Sequence, residues 1–152
     1  MKAVIQRVSR AVCRVGERIT GECGKGLLVL LGVADGDTEE DAFLLCEKIT
    51  KLRIFCDDNY KMNLSVMDVS GEMLVISNFT LLANYAHGNR PDYLKAMKPE
   101  QANRLYEYFT ALVREKINHV QTGEFGSEMN IETELAGPVT IVMDSEVLKK
   151  KR

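Results

Sequence analysis

Two short segments of this chain carry residue types that could do chemistry. One is Ser77-Asn78-Phe79-Thr80, at the end of a predicted strand, and the other is Gly137-Pro138-Val139-Thr140, much further along the chain. The first offers hydroxyls and backbone amides, while the second offers a rigid backbone step with two carbonyls. Together they indicate a site whose selectivity depends on main-chain geometry rather than on a charged side chain.

The usual hydrolase sites are missing from the sequence. The histidines are His87 and His119, and neither has the neighbours that a Ser-His-Asp triad requires. The G-x-S-x-G pattern is absent, and the Asp57-Asp58 pair is typical of a turn. A conventional triad is therefore disfavoured.

The cysteines do not suggest a metal site. They lack C-x-x-C spacing and have no histidine at zinc-finger distance; they are Cys13, Cys23, Cys46 and Cys56. We expect free thiols that serve as small apolar residues, with disulfides or a metal site as the alternatives. No metal and no cofactor are expected.

Length and composition favour a single cytoplasmic domain over residues 1–152. The 152 residues can bury a core, 45% are apolar, and the apolar run 27–34 is too short to span a membrane. No leader pattern is visible at the N-terminus. The net charge of −2 disfavours broad, nonspecific nucleic-acid binding by this protein but permits a local contact with a nucleic acid. The basic tail 149–152 is predicted to be frayed, with weak phosphate contacts as the alternative.

Hydrophobic periodicity predicts an α+β domain with segregated helices. We expect strands at 2–9, 27–33 (buried on both faces), 72–77, 128–135 and 139–144. One helix should begin after an N-cap at Asp37, with Glu40 completing the capping box, and end near Arg53. A second should begin near Pro99. On this pattern Gly137-Pro138 reads as a hairpin turn, and base rates favour a trans bond.

Six segments in order resemble the D-aminoacyl-tRNA deacylases, the chirality-proofreading family called DTD. The resemblance spans nearly the whole chain, and its chain length also matches. The segments are Met1–Ala11, Gly26–Val33, Lys61–Ser65, Gly88–Pro91, Gln121–Gly126 and Gly137–Thr140.

The resemblance implies a closed β-barrel flanked by two main helices, assembled as a homodimer. It also implies a cis bond at Gly137-Pro138, with this dipeptide reaching into the partner's site. The implied partner is the tRNA 3′ end carrying a D-amino acid or glycine, with no membrane involved.

The implied activity is hydrolysis of the ester of D-aminoacyl-tRNA to free D-amino acid and tRNA. Ser77, Phe79 and Thr80 form the implied catalytic segment, in which the amides of Phe79 and Thr80 stabilise the oxyanion. The terminal ribose 2′-OH would help to activate the water. Because no general base is visible beside Thr80, we expect its hydroxyl to orient groups rather than to attack.

The implied chiral filter consists of the carbonyls of Gly137 and Pro138. They would collide with the side chain of an L-amino acid and leave room for hydrogen. Glycine should therefore pass, so we expect deacylation of glycyl-tRNA, including tRNA-Ala mischarged with glycine. Asn78, Met129 and Phe125 are the other implied substrate-binding residues, although Met129 and Phe125 could equally be core. Arg7 is implied to brace the Gly-Pro loop, with a surface arginine as the alternative.

The chain departs from the family pattern in three places. Asn78 replaces the usual glutamine, Ala136 replaces a common aspartate, and Asp92-Tyr93 replaces Ser-Phe. The changes at Asn78 and Ala136 support a competing hypothesis, a non-catalytic nucleic-acid-binding module on the same fold. A lesser alternative is an ordinary small-molecule esterase, which the absence of a triad disfavours. Arg90 could contact the tRNA end or form a salt bridge at a helix start.

Overall fold

The protein, seen in a computed structural model, is described over residues 1–150. The described residues form eight strands: β1 (Lys2–Val15), β2 (Arg18–Cys23), β3 (Gly26–Gly32), β4 (Phe55–Cys56), β5 (Met62–Leu64), β6 (Glu72–Ser77), β7 (Val120–Thr122) and β8 (Asn130–Asp144). The helices are α1 (Glu39–Thr50), α2 (Pro99–Arg114) and α3 (Ser145–Lys149), with a 3₁₀ turn at Phe79–Leu82.

Six strands form one sheet around the long strand β1. Along one edge, β1 pairs first with β3 and then with β2, and β8 follows its other edge in antiparallel pairing. Strands β3, β6 and β7 continue the sheet in parallel pairing. A Cβ on Gly21 of β2 would lie 2.3 Å from the Thr122 carbonyl oxygen of β7, so the sheet nearly closes into a barrel. The predicted α+β barrel is confirmed.

The core has two layers because β3 is buried on both faces, as predicted. Leu27, Val29 and Leu31 pack in the cluster that includes α1 and α2, whereas Leu28 packs with Leu74 and other residues of a second cluster. The alternation follows from the two-residue period of a strand.

The cap of α1 differs from the prediction. Thr38 is the N-cap and Asp41 completes the capping box. The Asp37 carboxylate instead accepts hydrogen bonds from the Met1 ammonium and the Ala34 amide, each at 2.6 Å. The helix ends at Thr50, short of Arg53.

The second helix begins at Pro99, as predicted. Its buried face includes Tyr106, Phe109 and Val113. The Tyr106 hydroxyl donates to the Val75 carbonyl at 2.8 Å, which ties α2 to β6. The aromatic residues of this helix are core, as their spacing indicates.

Lys149, the first residue of the basic tail, is more ordered than predicted. Lys149 ends α3, and its ammonium lies 2.8 Å from the buried carboxylate of Asp41, so the prediction of a frayed segment is wrong at this residue. Residues 151 and 152 lie outside the described part of the chain. Within residues 1–150, none of the helices has the length and apolar character required to cross a membrane.

The two predicted C-terminal strands form one strand with a bulge. Leu135 pairs with Val8, and Thr140 pairs with Gln6. The chain therefore advances five residues along β8 where it advances only two along β1. Residues 136–139 are left outside the ladder, and we call them the 136–139 bulge. The hairpin interpretation of Gly137-Pro138 is therefore wrong, because both flanks pair with the same strand in one direction.

Candidate active site

The segment after β6 presents two free backbone donors. The Asn78 amide still donates to the Leu31 carbonyl at 2.8 Å, and the 3₁₀ turn begins at the next residue. The first amides of a helical turn have no partner within it. Over residues 1–150, neither the Phe79 nor the Thr80 amide donates to a backbone carbonyl. Both residues are exposed, so these N–H groups are available to a ligand.

Asn78 holds the hydroxyl of Thr80. Thr80 Oγ1 donates to Asn78 Oδ1, so an amide oxygen rather than a base accepts its proton. The side chain of His119 instead lies near Glu22, Glu72 and Gln121. This geometry fits an orienting hydroxyl better than a nucleophile, because no general base is bonded to it.

The 136–139 bulge has a backbone that requires glycine at its first turn. Gly137 has φ +133°, and a Cβ there would lie 2.8 Å from the Val139 amide nitrogen and 3.1 Å from Arg7 Nη2. The Gly137-Pro138 peptide bond is cis, as the family resemblance implies and against the base-rate expectation. The bulge therefore presents backbone, with no side chain at residue 137.

Arg7 binds the base of this bulge. Its Nε donates to the Ala136 carbonyl at 3.0 Å and its Nη1 donates to the Ile54 carbonyl at 2.7 Å. The contact with residue 136 is made by the main chain, so alanine in place of aspartate does not remove it. Two carbonyls thus satisfy the half-buried guanidinium.

The other two implied substrate-binding residues pack against the core. Met129 is half-buried against the second cluster, and its sulfur approaches Gly123 so closely that a Cβ there would lie 2.5 Å away. The Phe125 ring lies 5.9 Å from that of Tyr106. Both residues have packing roles here, and their contact with substrate stays a prediction.

Within one protomer, the two parts of the site lie apart. Ser77 aligns with Leu31, then Ala3, then Met143 across the sheet, so β1 and β3 separate β6 from β8. Along β8, Gly137 lies six residues from Met143, beyond the Thr140 position. At standard strand spacing this places the bulge on the order of 15 Å from the free amides. At this estimated separation, one ester is too small to contact both parts in the same protomer.

The cysteines are free thiols, as predicted. Cys13, Cys23 and Cys46 are buried, whereas Cys56 is exposed. Burial raises the pKa of both Cys23 and Cys46 to about 11, so these two thiols are protonated at neutral pH. They have packing roles and are poor nucleophiles.

Sequence reasoning missed a contact that links the 3₁₀ turn to the loop after it. Asn84 and Asp92 exchange two backbone hydrogen bonds, at 2.8 and 3.0 Å, and the Asn84 side-chain amide donates to the Asp92 carboxylate at 2.8 Å. The neighbouring Tyr93 ring meets the Phe79 ring edge-on at 5.1 Å. The departure at Asp92-Tyr93 was the only signal of this cluster in the sequence.

Comparison with known proteins identifies the family. The family model described as D-Tyr-tRNA(Tyr) deacylase matches residues 4–144. The chain belongs to this deacylase family. A D-aminoacyl-tRNA deacylase from Dehalococcoides mccartyi is 54% identical over 145 residues, covering 95% of each chain. One from Bacillus pumilus is 49% identical over 146 residues, covering 96% of this chain and 99% of the relative.

A solved structure shares the deacylase fold of this chain. The structure named c-Myc DNA Unwinding Element Binding Protein superposes with a TM-score of 0.90 at 39% identity, covering 95% of this chain and 98% of the other. With the family established, the chain is an enzyme, a hydrolase that acts on D-aminoacyl-tRNA.

Proposed function

We propose that this deacylase hydrolyses the ester through the free amides of Phe79 and Thr80 and selects its substrate with the 136–139 bulge of a partner subunit. The observation that carries the proposal is a pair of exposed backbone donors at the start of the 3₁₀ turn that have no partner within residues 1–150. Family membership supplies the substrate class. The expected location is the cytoplasm.

The two amides would stabilise the charge that forms during ester hydrolysis. Water adds to the ester carbonyl carbon, and the carbonyl oxygen becomes an oxyanion that accepts hydrogen bonds from Phe79 and Thr80. The bond to the ribose 3′ oxygen then breaks, and the proton lost by the water reaches that oxygen through the neighbouring 2′-OH. Ser77 ends the strand that sets the position of both amides, and Asn78 fixes the Thr80 hydroxyl.

The bulge would act on the partner's substrate, in a homodimer. Its separation from the amides of its own protomer, on the order of 15 Å, prevents both parts from serving one ester in a single chain. A second copy can supply the missing half, because a two-fold interface gives each site one segment from each chain. The carbonyls of Gly137 and Pro138 would then face the α-carbon, with Arg7 holding the Ala136 carbonyl. Met129 and Phe125 would border the side-chain end of the pocket.

Selection by collision predicts that glycine is not rejected. A D-amino acid directs its side chain away from the carbonyls, whereas glycine has no side chain to collide with them. Glycyl-tRNA, including tRNA-Ala mischarged with glycine, should therefore lose its amino acid at high enzyme concentration. The measurement is release of labelled glycine, with L-Ala-tRNA as the resistant control. Full resistance of glycyl-tRNA would contradict a filter that works by steric exclusion.

The decisive experiment compares D-Tyr-tRNA with L-Tyr-tRNA in the presence of a chelator. Rapid loss of only the D-ester supports both the activity and the stereochemical filter, and persistence of this loss with chelator supports amide-based catalysis. Hydrolysis of both D-Tyr-tRNA and L-Tyr-tRNA would contradict the proposed stereochemical role of the bulge. A free D-tyrosine ester without nucleotide serves as the control for a general esterase, and we expect it to be stable.

A second candidate function rests on the name of the solved neighbour, which describes a DNA-binding protein. On this hypothesis the chain would bind DNA through the same fold in addition to hydrolysing D-aminoacyl-tRNA. Binding of a DNA duplex at low micromolar protein concentration would favour it, and the absence of binding would exclude it.

A further inference from the structure

The loop from Asn84 to Asp92, which we call the 84–92 loop, has a closed base and an exposed tip. Three hydrogen bonds between Asn84 and Asp92 close the base, two of them between backbones. The chain reverses direction at Gly88, where φ is +68°. Residues 85–91 are all exposed. The base is thus fixed while the tip remains accessible to a ligand.

The tip has the residue types of a nucleic-acid contact. Between residues 85 and 91 there is no acidic residue, and the side chains include Tyr85, His87, Asn89 and Arg90. Tyr85 is 81% exposed. Among the ion pairs of residues 1–150, none involves Arg90, so the helix-start salt bridge considered from the sequence does not form. An arginine without an ion pair in residues 1–150 and an exposed tyrosine in the same loop suit a phosphate and a stacked base.

The loop is also adjacent to the candidate amides. It follows the 3₁₀ turn directly, and Tyr93, next to its base, contacts the Phe79 ring. A tRNA whose terminal ester lies at Phe79 would have its preceding single-stranded nucleotides within reach of this loop. Two further cations without an ion pair in residues 1–150, Lys95 and Lys98, follow the loop before α2 and are exposed.

The large cleft nearby is a poorer path for RNA. Its volume is about 560 Å³, and it lies between α1, α3, the end of the 3₁₀ turn and residues 84–86 of the loop, so that Tyr85 and Lys95 stand at its edge. Five carboxylates line it, against three lysines and the Met1 ammonium: Asp35, Asp37, Asp41, Asp144 and Glu146. This excess of carboxylates disfavours a phosphate backbone inside the cleft, so the phosphates are better placed on the Arg90 side of the 84–92 loop, outside the cleft lining.

We propose that the 84–92 loop binds the single-stranded 3′ nucleotides of the substrate tRNA, with Arg90 contacting a phosphate and Tyr85 stacking on a base. This inference rests on the proposed function, since it assumes that the ester lies at Phe79. The contact reads backbone and base surface rather than sequence, and it adds affinity for tRNA without taking part in ester cleavage.

The test compares two substrates that share the ester and differ in the nucleotides. One is D-Tyr-tRNA, and the other is D-tyrosyl-adenosine, which lacks the preceding phosphates and bases. For Arg90→Ala, KM on D-Tyr-tRNA should rise about threefold to tenfold, and the salt dependence of log kcat/KM should flatten by about 0.7–0.9. Neither kcat nor the rate on D-tyrosyl-adenosine should change. Tyr85→Ala should raise the same KM with an unchanged salt slope.

Two controls make the result specific. Arg104→Ala removes an exposed arginine whose guanidinium pairs with Glu100, and it should leave every parameter unchanged. Arg90→Lys should recover most of the salt slope, because a lysine can still neutralise a phosphate. Equal KM and salt slope in the wild type and Arg90→Ala would overturn the inference.

A separate binding measurement distinguishes failure of this inference from failure of the proposed function. The dissociation constant of uncharged tRNA is measured for the wild type, Arg90→Ala and Arg104→Ala. Weaker binding for Arg90→Ala alone supports the loop even if the wild type cleaves neither ester, a result that would contradict the proposed function. Identical binding by all three proteins overturns the role of the loop, whether or not the esters are cleaved.

Discussion

The amide of Phe79 can be removed without disturbing the fold around it. Proline lacks the N–H, and its fixed φ suits the first position of a helical turn. The preceding Asn78, with φ −146° and ψ 90°, lies outside the helical region that proline disfavours in its neighbour. Phe79→Pro should therefore lower kcat for D-Tyr-tRNA about 100-fold to 1,000-fold, the loss typical of one oxyanion donor.

The matched control for this change is Phe79→Ala, which keeps the amide and removes the ring. Its kcat should fall less than about tenfold, because the ring contacts Tyr93 rather than a group that carries charge in the reaction. Single-turnover rates for both variants are the measurement. Equal losses would assign the effect to the ring and remove the amide from the mechanism.

Arg7 should affect selectivity more than stability. Arg7→Ala removes the hydrogen bonds to the Ala136 and Ile54 carbonyls, which should lower Tm by only about 2–6 °C. The ratio of D-Tyr-tRNA to L-Tyr-tRNA deacylation should fall about tenfold, since 1.4 kcal/mol of lost positioning suffices. The same ratio for Arg7→Lys should lie between those of the wild type and Arg7→Ala, because lysine keeps the charge but lacks the planar guanidinium group. An unchanged ratio in Arg7→Ala would refute bracing.

At this scale, the sequence indicated which residues matter better than it indicated their contacts. Arg7 stood out because a charge within a strand needs partners, and carbonyls supply them. The sequence could not show that Asn78, one methylene shorter than glutamine, accepts a hydrogen bond from Thr80. That contact depends on the 3₁₀ turn that begins at Phe79, and the hydrophobic periodicity of the sequence does not predict this turn.

At the scale of elements, the start of α1 is joined to α3 through Asp41. Its buried carboxylate accepts hydrogen bonds from Ser145, Lys149 and the Thr38 amide. Burial alone would raise the pKa of Asp41, but the bonds from Lys149 and Ser145 outweigh it and hold the pKa well below its ordinary value. A carboxyl group with a lowered pKa stabilises the fold above its unfolded pKa and loses this contribution as the pH falls.

Asp41→Asn should therefore destabilise the protein in a pH-dependent way. Near pH 7 the free energy of unfolding should fall by about 2–3 kcal/mol, less than for a fully buried ion pair because Lys149 is partly exposed. The difference from the wild type should shrink as the pH falls below 3.8, the ordinary pKa of the group. Urea unfolding at several pH values measures this. Glu100→Gln, in an exposed pair, should change little, and a constant difference for Asp41→Asn would exclude titration as its cause.

The start of α1 and the bulge of β8 are two features that the sequence did not predict correctly. Both Asp37-Glu40 and Thr38-Asp41 have the spacing of a capping box. In the structure Thr38 and Asp41 form the box, whereas Asp37 binds the Met1 ammonium, which is distant in the sequence. Likewise, turn residues between two strands suggest a hairpin, whereas pairing with β1 keeps both halves of β8 in line. Both the cap of α1 and the continuity of β8 involve contacts between residues far apart in the sequence. Local sequence patterns carry no information about such contacts.

At the scale of the whole molecule, the separation of the bulge from the amides predicts that activity depends on assembly. Phe79→Pro protomers retain a normal bulge, and Gly137→Ala protomers retain normal amides. Gly137→Ala should lose activity on D-Tyr-tRNA as well as selectivity, because its Cβ, 2.8 Å from the Val139 nitrogen at a positive φ, would displace the bulge carbonyls against which the α-carbon is held. Gly16→Ala, at a positive φ in open space, should remain active.

Mixing the two inactive proteins tests whether each site draws on two chains. If subunits exchange freely at equal concentrations, half of the dimers are mixed, and each has one site with a normal amide pair and a normal bulge. The mixture should therefore recover about a quarter of the wild-type activity. Sites built from a single chain would leave the mixture as inactive as its components.

The bulge in β8 also bears on how selectivity could be re-engineered. Because both of its flanks pair with β1, the ladder on either side holds without help from residues 136–139. Bulges of this kind redirect a short piece of chain while the sheet around them persists. Loops of other lengths or compositions could therefore replace residues 136–139 between Leu135 and Thr140. Such replacements could change the stereochemical preference of the enzyme while the sheet stays the same.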